Sequence, residues 1–494
     1  MIKRREFIIK TAASGAGTIL TFPAISKLSG SPNETINIGV IGFRSHGMTH
    51  INAYKKMPNV RIAALCDVDQ EVIDREMNNL SKENIKPQTY KDIRDLLDNK
   101  EIDAVSIATP NHWHALGSVW ACQAGKDVCV EKPVSHNVWE GRKMVEAARK
   151  YNRMVQADLD HRSIENQYVI ADFLQKGGLG KILHVRVINY KRRPTIGKIN
   201  GMQSVSKSVD YNLWLGRASM KPLTRMNLHY DWHWQWETGN GEIGNNGPHQ
   251  LDYVRRLLGF DNLPQKVMSY GGRYGYLDDG ETPNTQVAMY DYNGIPVIYE
   301  SRGLSRSRYS EIMNNFVGIT ATGKKVIHPF NSEGANMNVV VFCEDGYLFG
   351  GIVYDNDGNA VKSFDQIPGQ NSQEHFINAV RSRKLSDLRG DIEEGHKSTV
   401  LCHLGNISYQ LAQRTTPHKL RDSLNDDLYQ NESYEQFKEH MTSNEINIWE
   451  ESVMVGPSLS FDSKREVFTG LMAEEANRYL KDNYREPFII PEFV

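Results

Sequence analysis

Residues 36–67 constrain this chain more than any other stretch. Ile36–Ile41 (INIGVI) is a short apolar run rich in β-branched residues. The turn Gly42-Phe43-Arg44-Ser45-His46-Gly47 follows, then a helical pattern to Tyr54, then a second apolar run, Val60–Cys66, that ends on Asp67. Strand, glycine turn, helix, strand, acid is the order of a dinucleotide-binding βαβ unit. In such a unit the glycines provide the turn, the close backbone approach to pyrophosphate and the helix packing, and an acid about 20 residues on takes the adenosine ribose. Gly42 and Gly47 stand at the first and third glycine positions, Arg44 replaces the second, and Asp67 is the acid.

The alternation continues. Residues 103–108 (DAVSIA) form another apolar run, Thr109-Pro110-Asn111 reads as a turn, a helical pattern runs from His112 to Ala124 with Gly125 after it, and residues 126–130 (KDVCV) are again strand-like. Repeated β-α-β order implies a parallel sheet, hence an α/β fold with an N-terminal Rossmann domain. A carboxylate at Asp67 accepts hydrogen bonds from both ribose hydroxyls and repels a 2′-phosphate, which favours NAD. Arg44 keeps NADP open, because a guanidinium can sit on pyrophosphate or reach an adenosine phosphate.

A chain of 494 residues has room for two or three domains. Hydrophobic residues at 39% and charged residues at 24% support packed cores throughout. Lys+Arg of 58 against Asp+Glu of 60 gives no electrostatic footprint for nucleic acid. Five scattered cysteines without a CxxC are too few for a disulfide framework, and no metal site is expected. No run of about 20 apolar residues is present, so no membrane span is expected.

Asn111-His112-Trp113-His114-Ala115 and then Gly125-Lys126-Asp127-Val128-Cys129-Val130-Glu131-Lys132-Pro133 resemble the glucose–fructose oxidoreductase / inositol dehydrogenase / rhizopine-catabolism (Gfo/Idh/MocA) family, over residues 36–414. The resemblance implies a second domain with a large, open, mostly antiparallel sheet and homo-oligomerisation (dimer or tetramer) through that sheet. It implies nicotinamide-dependent oxidoreduction of a sugar, glycoside or polyol. It also implies that Lys132 contacts both nicotinamide ribose and substrate, with a cis peptide before Pro133, and that Thr109, Asn111, His114 and Glu131 belong to the cofactor site. Independently of any family, a lysine at the carboxyl end of a parallel strand lies where open α/β sheets bind ligands, and its ammonium can lower the pKa of a reacting hydroxyl.

Short alternating runs at 182–187, 266–270, 285–292, 296–300 and 337–342, separated by turns such as Asp345-Gly346 and Asp357-Gly358, read as the second domain's sheet, with helical patterns at 373–383 and 391–413. The densest segment is His229-Tyr230-Asp231-Trp232-His233-Trp234-Gln235-Trp236, followed by Gly239-Asn240-Gly241-Glu242-Ile243-Gly244-Asn245-Asn246-Gly247-Pro248-His249. If residues 230–236 are extended, Tyr230, Trp232, Trp234 and Trp236 share one face and Asp231, His233 and Gln235 the other. Aromatic faces stack on sugar rings and polar neighbours hold hydroxyls, which makes Tyr230, Asp231, Trp232 and His233 candidate substrate residues. The family's acid-x-x-x-His pattern matches at His249, but Asn245 stands where the acid is usual. His249 can act as general base or acid, whereas Asn245 can orient a hydroxyl but not take its proton. Catalysis is therefore expected to rest on Lys132 and His249, with Asn245 orienting. Arg162, after Asp158 and Asp160, is expected to open the helix into the second domain and, by the family position, to face the substrate.

The start of the chain, Lys3-Arg4-Arg5 with a weak apolar stretch and Ala24-Ile25-Ser26, resembles a twin-arginine export signal, so the protein is expected to be periplasmic. The expected organisation is a signal at 1–30, a Rossmann domain at 34–155, a substrate and oligomerisation domain at 156–414, and a polar helical extension at 415–494. An exported enzyme would meet little free nicotinamide cofactor, so a tightly held one is expected. Two alternatives stand beside a dehydrogenase. One is a redox-assisted enzyme that cleaves or epimerises a glycoside through transient oxidation, and the other is a catalytically retired sugar-binding protein.

Overall fold

A computed structural model describes residues 35–304, 315–329, 338–365, 367, 369–424, 427–451 and 453–494. The export-signal reading falls on residues outside this set. Among the described residues no helix is long and apolar enough to cross a membrane.

The N-terminal half is a six-stranded parallel sheet of β1 (Ile36–Ile41), β2 (Val60–Cys66), β3 (Gln88–Tyr90), β4 (Ala104–Ile107), β5 (Asp127–Glu131) and β6 (Val155–Asp158), in the order β3-β2-β1-β4-β5-β6. The apolar runs become strands because helices cover both sheet faces. Ile38, Val40, Val105, Val128 and Val130 are all fully buried. The register pairs Ile41 with both Cys66 and Ile107, Ile107 with Val130, and Glu131 with Asp158. The residues that follow, Gly42, Asp67, Thr109 and Lys132, therefore emerge along one edge. The order reverses between β1 and β4, which is where open α/β sheets bind ligands.

The C-terminal half is a twelve-stranded sheet in which Ile182–Tyr190 and Ile295–Arg302 pair in parallel and the other pairs are antiparallel. The helices Gly241–Leu258 and Ile392–Gln410 pack on its inner face, where Ile243, Leu251, Val400, Leu401 and Leu404 meet Val185, Ala288 and Tyr299. Ile392, at the start of the second helix, belongs instead to the core under the parallel sheet. One helix thus spans both cores.

One expectation for this half is corrected. Residues 415–494 are not a helical extension. The helices Pro417–Ser423 and Leu428–Thr442 are followed by strands Val453–Val455, Leu459–Asp462 and Val467–Thr469, which join the large sheet. These strands have three or four residues, too few for a period-two pattern to stand out. The chain then returns to the first domain, where Phe488, Ile490 and Val494 are buried with Trp113. The sheet is mostly antiparallel and does not close on itself, as expected, and its outer face is covered. Leu420, Leu424, Phe437 and Met441 of the two helices bury Tyr270, Val287 and Ile298 of the sheet. Arg186, fully buried, forms an ion pair with Glu300 in the sheet and with Glu432 on the second helix. The face expected to meet another subunit is covered by the chain's own residues.

Candidate active site

Gly42 and Gly47 are glycines for steric reasons. Gly42 has φ +75°, and a Cβ there would lie 2.8 Å from the Thr109 amide nitrogen. A Cβ on Gly47 would lie 2.1 Å from the Gly42 carbonyl oxygen. The helix Gly47–Tyr54 therefore starts directly beneath the turn. Asp67 sits beside this turn and accepts hydrogen bonds from the Phe43 and Asp69 amides, both at 3.1 Å. Burial pushes its carboxyl up to about 6, against the pull of those two amides.

That value makes a testable pH dependence. Only ionised Asp67 can accept hydrogen bonds from both hydroxyls of a ribose. NAD affinity is expected to be flat above about pH 7 and to weaken by up to about tenfold per pH unit below about pH 6, with Asp67→Asn flattening the profile. Calorimetric titration across this range checks it, and a wild-type profile without a break near that pH would remove Asp67 from the ribose site.

Between the two domains lies a cavity of about 670 Å³. Gly42, Arg44, Asp67, Thr109, Asn111, His114, Glu131 and Lys132 line it from the first domain, and Tyr230, Trp232, His233 and Asn245 from the second. The Lys132–Pro133 bond is cis. The Lys132 ammonium donates to the Asn245 carbonyl oxygen at 2.8 Å and to Asn245 Oδ1 at 3.4 Å. Asn240, just before the helix Gly241–Leu258, fixes where that helix starts. It accepts from Asn111 Nδ2 at 2.5 Å, donates to the His136 carbonyl at 3.0 Å, and its own carbonyl accepts from Asn406. Asn245 and His249 follow on the same helix, one turn apart. His249 is half-buried and set back from the lining, with its ring edge against His161 at 5.4 Å and its Nδ1 buried without a hydrogen-bond partner among the described residues. Burial, the Lys132 ammonium and His161 hold its pKa well below the usual imidazole value, so the ring is neutral. Both ring nitrogens of His114 face carbonyl oxygens, those of Pro133 and Thr109, each at 2.7 Å. Burial still lowers its pKa.

Two histidines escaped the sequence reading of the site. Glu131 Oε1 lies 3.0 Å from His46 Nε2 and 3.0 Å from His50 Nε2, and His50 Nδ1 is 2.7 Å from Ser106 Oγ. Burial alone would raise the Glu131 carboxyl; the two histidines outweigh it and hold Glu131 well below the usual range. Glu131 in turn raises His46 to about 9, so His46 is a cation in the glycine turn. The three side chains are close enough to share a metal ion, but the direct contacts at 3.0 Å already satisfy these atoms. The signal was present in His46 within the turn and His50 four residues on, which share a helix face only once the helix start is known.

Three other expectations are corrected. Residues Asp231–Trp234 form a short 3-10 helix, not a strand, so the aromatic residues do not share a face. Trp232 stacks on His233 at 3.6 Å, Trp234 is buried beneath Arg193, and Tyr230 is exposed. Asp231 is buried and accepts from the Asn227 amide at 2.9 Å, outside the lining, because its carboxylate closes this turn. Arg162 lies in a 3-10 turn ahead of the helix Asn166–Gln175 and faces the interior, where it donates to Asp252 at 2.7 Å and Glu394 at 3.0 Å. It ties the start of the second domain to two of its helices and does not reach the cavity.

Residues 36–159 match the family model described as the oxidoreductase family, NAD-binding Rossmann fold, and residues 171–298 match the model for that family's C-terminal alpha/beta domain. The chain belongs to the Gfo/Idh/MocA oxidoreductase family. It is similar to a Shewanella baltica protein named glycosyl hydrolase family 109 protein, with 24% identity over 328 residues, 61% of this chain and 63% of the relative. A Shewanella sp. protein named glycosyl hydrolase family 109 protein 1 is 30% identical over 158 residues, 31% of this chain and 34% of the relative. The chain spans about three-fifths of the length of the first of these relatives. Among solved structures, the WlbA dehydrogenase of Chromobacterium violaceum superposes with a TM-score of 0.54 at 16% identity, over 78% of this chain and 96% of that one. The WlbA dehydrogenase of Bordetella pertussis gives 0.52 at 18% identity, over 75% and 95%. Both were solved with NADH and UDP-GlcNAcA. At this identity they bear on the fold alone.

Proposed function

We propose that this protein oxidises a hydroxyl of a sugar, glycoside or polyol with NAD, and that the cofactor stays bound through turnover. The observation that carries the reading is the Lys132 ammonium, 2.8 Å from the Asn245 carbonyl, in a cavity that also contains the Gly42 turn and Asp67. The residues fit the cofactor. The Gly42 turn leaves no room for a Cβ, and Thr109 Oγ1 and Asn111 Oδ1 are buried in the cavity wall without hydrogen-bond partners among the described residues. Gly42, Thr109, Asn111 and Asp67 would hold NAD, and cationic His46 would add a favourable charge for its pyrophosphate. NADP is disfavoured by the Asp67 carboxylate. Bound NAD would supply the hydride acceptor.

This chain's own residues would do the rest. Lys132 would stabilise the negative charge that develops as the hydroxyl loses its proton. Neutral His249 would accept that proton, and Asn245 would hold the hydroxyl in line. Periplasmic export would explain a captive cofactor, since little free nicotinamide is expected there.

A second reading is supported by the name of the relatives, glycosyl hydrolase family 109. Oxidation of a sugar hydroxyl acidifies the neighbouring C–H, elimination then expels the aglycone and leaves an unsaturated ketone, water adds across its double bond, and re-reduction of the oxidised carbon leaves no net redox change. Denaturing the purified protein and identifying the released nucleotide by chromatography tests the shared premise. Stoichiometric NAD(H) is expected. An empty protein that binds added NAD only weakly would sink it. Product analysis then separates the two readings, because cleavage frees an aglycone with no lasting change in nicotinamide absorbance.

A further inference from the structure

The cavity is unevenly charged. Its lining carries Arg44, Arg75, Lys91, Lys132, Lys191 and Arg193 against three carboxylates, Asp67, Asp92 and Glu131. All three carboxylates are engaged: Asp67 by two amides, Asp92 by Arg94, and Glu131 by two histidines. Three of these cations, Lys132, Lys191 and Arg193, form one group around His233, which also lines the cavity. This group surrounds the end where substrate would meet Lys132.

Within that group only Lys191 lacks an assigned counterpart. Lys132 donates to Asn245. Arg193 donates to Glu242 at 2.8 Å and to the Tyr230 hydroxyl at 3.0 Å. Glu242 also accepts from Asn189 and Asn246, so its oxygens are taken. Lys191 directly follows the strand Ile182–Tyr190 and is half-buried in the cavity wall. Its ammonium has no hydrogen-bond or ion-pair partner among the described residues. Burial and Arg193 disfavour its charge, the nearby Glu242 carboxylate offsets part of that cost without bonding to it, and Lys132 adds to it, so the net shift is downward. A half-buried ammonium beside two more cations is costly unless an anion completes it.

We propose that Lys191 binds a negatively charged group on the substrate, so that the sugar taken by this site is acidic: a uronate or a sulfated sugar. The inference rests on the sugar-oxidation reading for the nature of the ligand, but binding tests it separately from turnover. The full chain, loaded with NAD, is titrated by calorimetry with D-glucuronate, D-galacturonate and glucose 6-sulfate beside glucose and galactose, and nicotinamide absorbance is followed in the same samples. At least one acidic sugar is expected to bind about tenfold or more tightly than its neutral counterpart, the scale of one charge-assisted hydrogen bond. The uronates and the sulfate then identify which anion is preferred. Lys191→Met is expected to erase the preference while unfolding at the same temperature or higher, because it removes an unpaired half-buried charge, and Lys191→Arg is expected to keep it. Equal or better binding of the neutral sugars, no binding of any of the five, or a preference that survives in Lys191→Met would overturn the proposal. Selective binding of an acidic sugar without any change in nicotinamide absorbance would uphold it and count instead against the oxidation reading.

Discussion

Lys132→Met is expected to lower the rate of sugar oxidation by about 10³-fold or more, in a protein that still folds and still carries nucleotide. Methionine keeps most of the length of the lysine stem and removes only the charge and its donors. That charge sits at the carboxyl end of β5, held toward the helix Gly241–Leu258 by the Asn245 carbonyl. It reaches across from the first domain to the turn of helix bearing Asn245. A preorganised cation at a developing alkoxide is worth several kcal/mol of barrier, roughly 4 kcal/mol for a thousandfold effect. His249 cannot replace it, since its ring is neutral. Single-turnover absorbance of the bound nicotinamide measures the rate, and the released nucleotide measured on the same preparation separates lost chemistry from lost cofactor. A variant that turns over like the wild type would take Lys132 out of the mechanism. A wild type with no turnover on any sugar would point to the binding-protein alternative.

Arg162→Met is expected to destabilise the protein by about 3–5 kcal/mol and to leave the affinity of a turned-over sugar unchanged. Arg162 is buried and holds two carboxylates, Asp252 and Glu394. Burial alone would raise the Asp252 carboxyl; Arg162 outweighs it, and the group titrates at about 2. Because the folded value lies below the unfolded one, the stabilisation is present above about pH 4 and is lost as pH falls towards 2. Without Arg162 the same carboxylate is buried with less compensation, so the loss begins at a higher pH. Chemical denaturation at several pH values measures both effects. An Arg162→Met protein as stable as wild type, but with weakened sugar binding, would restore the substrate role that the geometry denies it.

What could be read from the chain beforehand follows the range of the forces involved. The βαβ unit was legible because its signals are local: apolar runs, a glycine turn, and an acid at the end of the next strand. The steric demands on Gly42 and Gly47 lie within one supersecondary unit plus Thr109. Glu131-Lys132-Pro133 was legible for the same reason, as a strand end. Arg162 was misread because its partners lie 90 and 232 residues away, and an arginine beside acidic residues looks the same whether it faces a cleft or a core. Residues 230–236 alternate as a strand would, yet the Asp231 carboxylate closes a turn on the Asn227 amide, a contact that periodicity does not register. Lys191 gave no sign at all, since only the fold decides whether a lysine meets a partner, and among the described residues its ammonium meets none.

The covered outer face of the large sheet bears on how this fold behaves on dilution. A face shared between subunits is buried only while the subunits stay together, so its protection depends on protein concentration. Here the cover is tethered to the same chain through the strand Gln413–Thr415 and returns to the sheet at Val453–Val455. Its local concentration is set by that tether. The apolar face and the Arg186 ion pairs beneath it therefore stay shielded in a single molecule at any dilution.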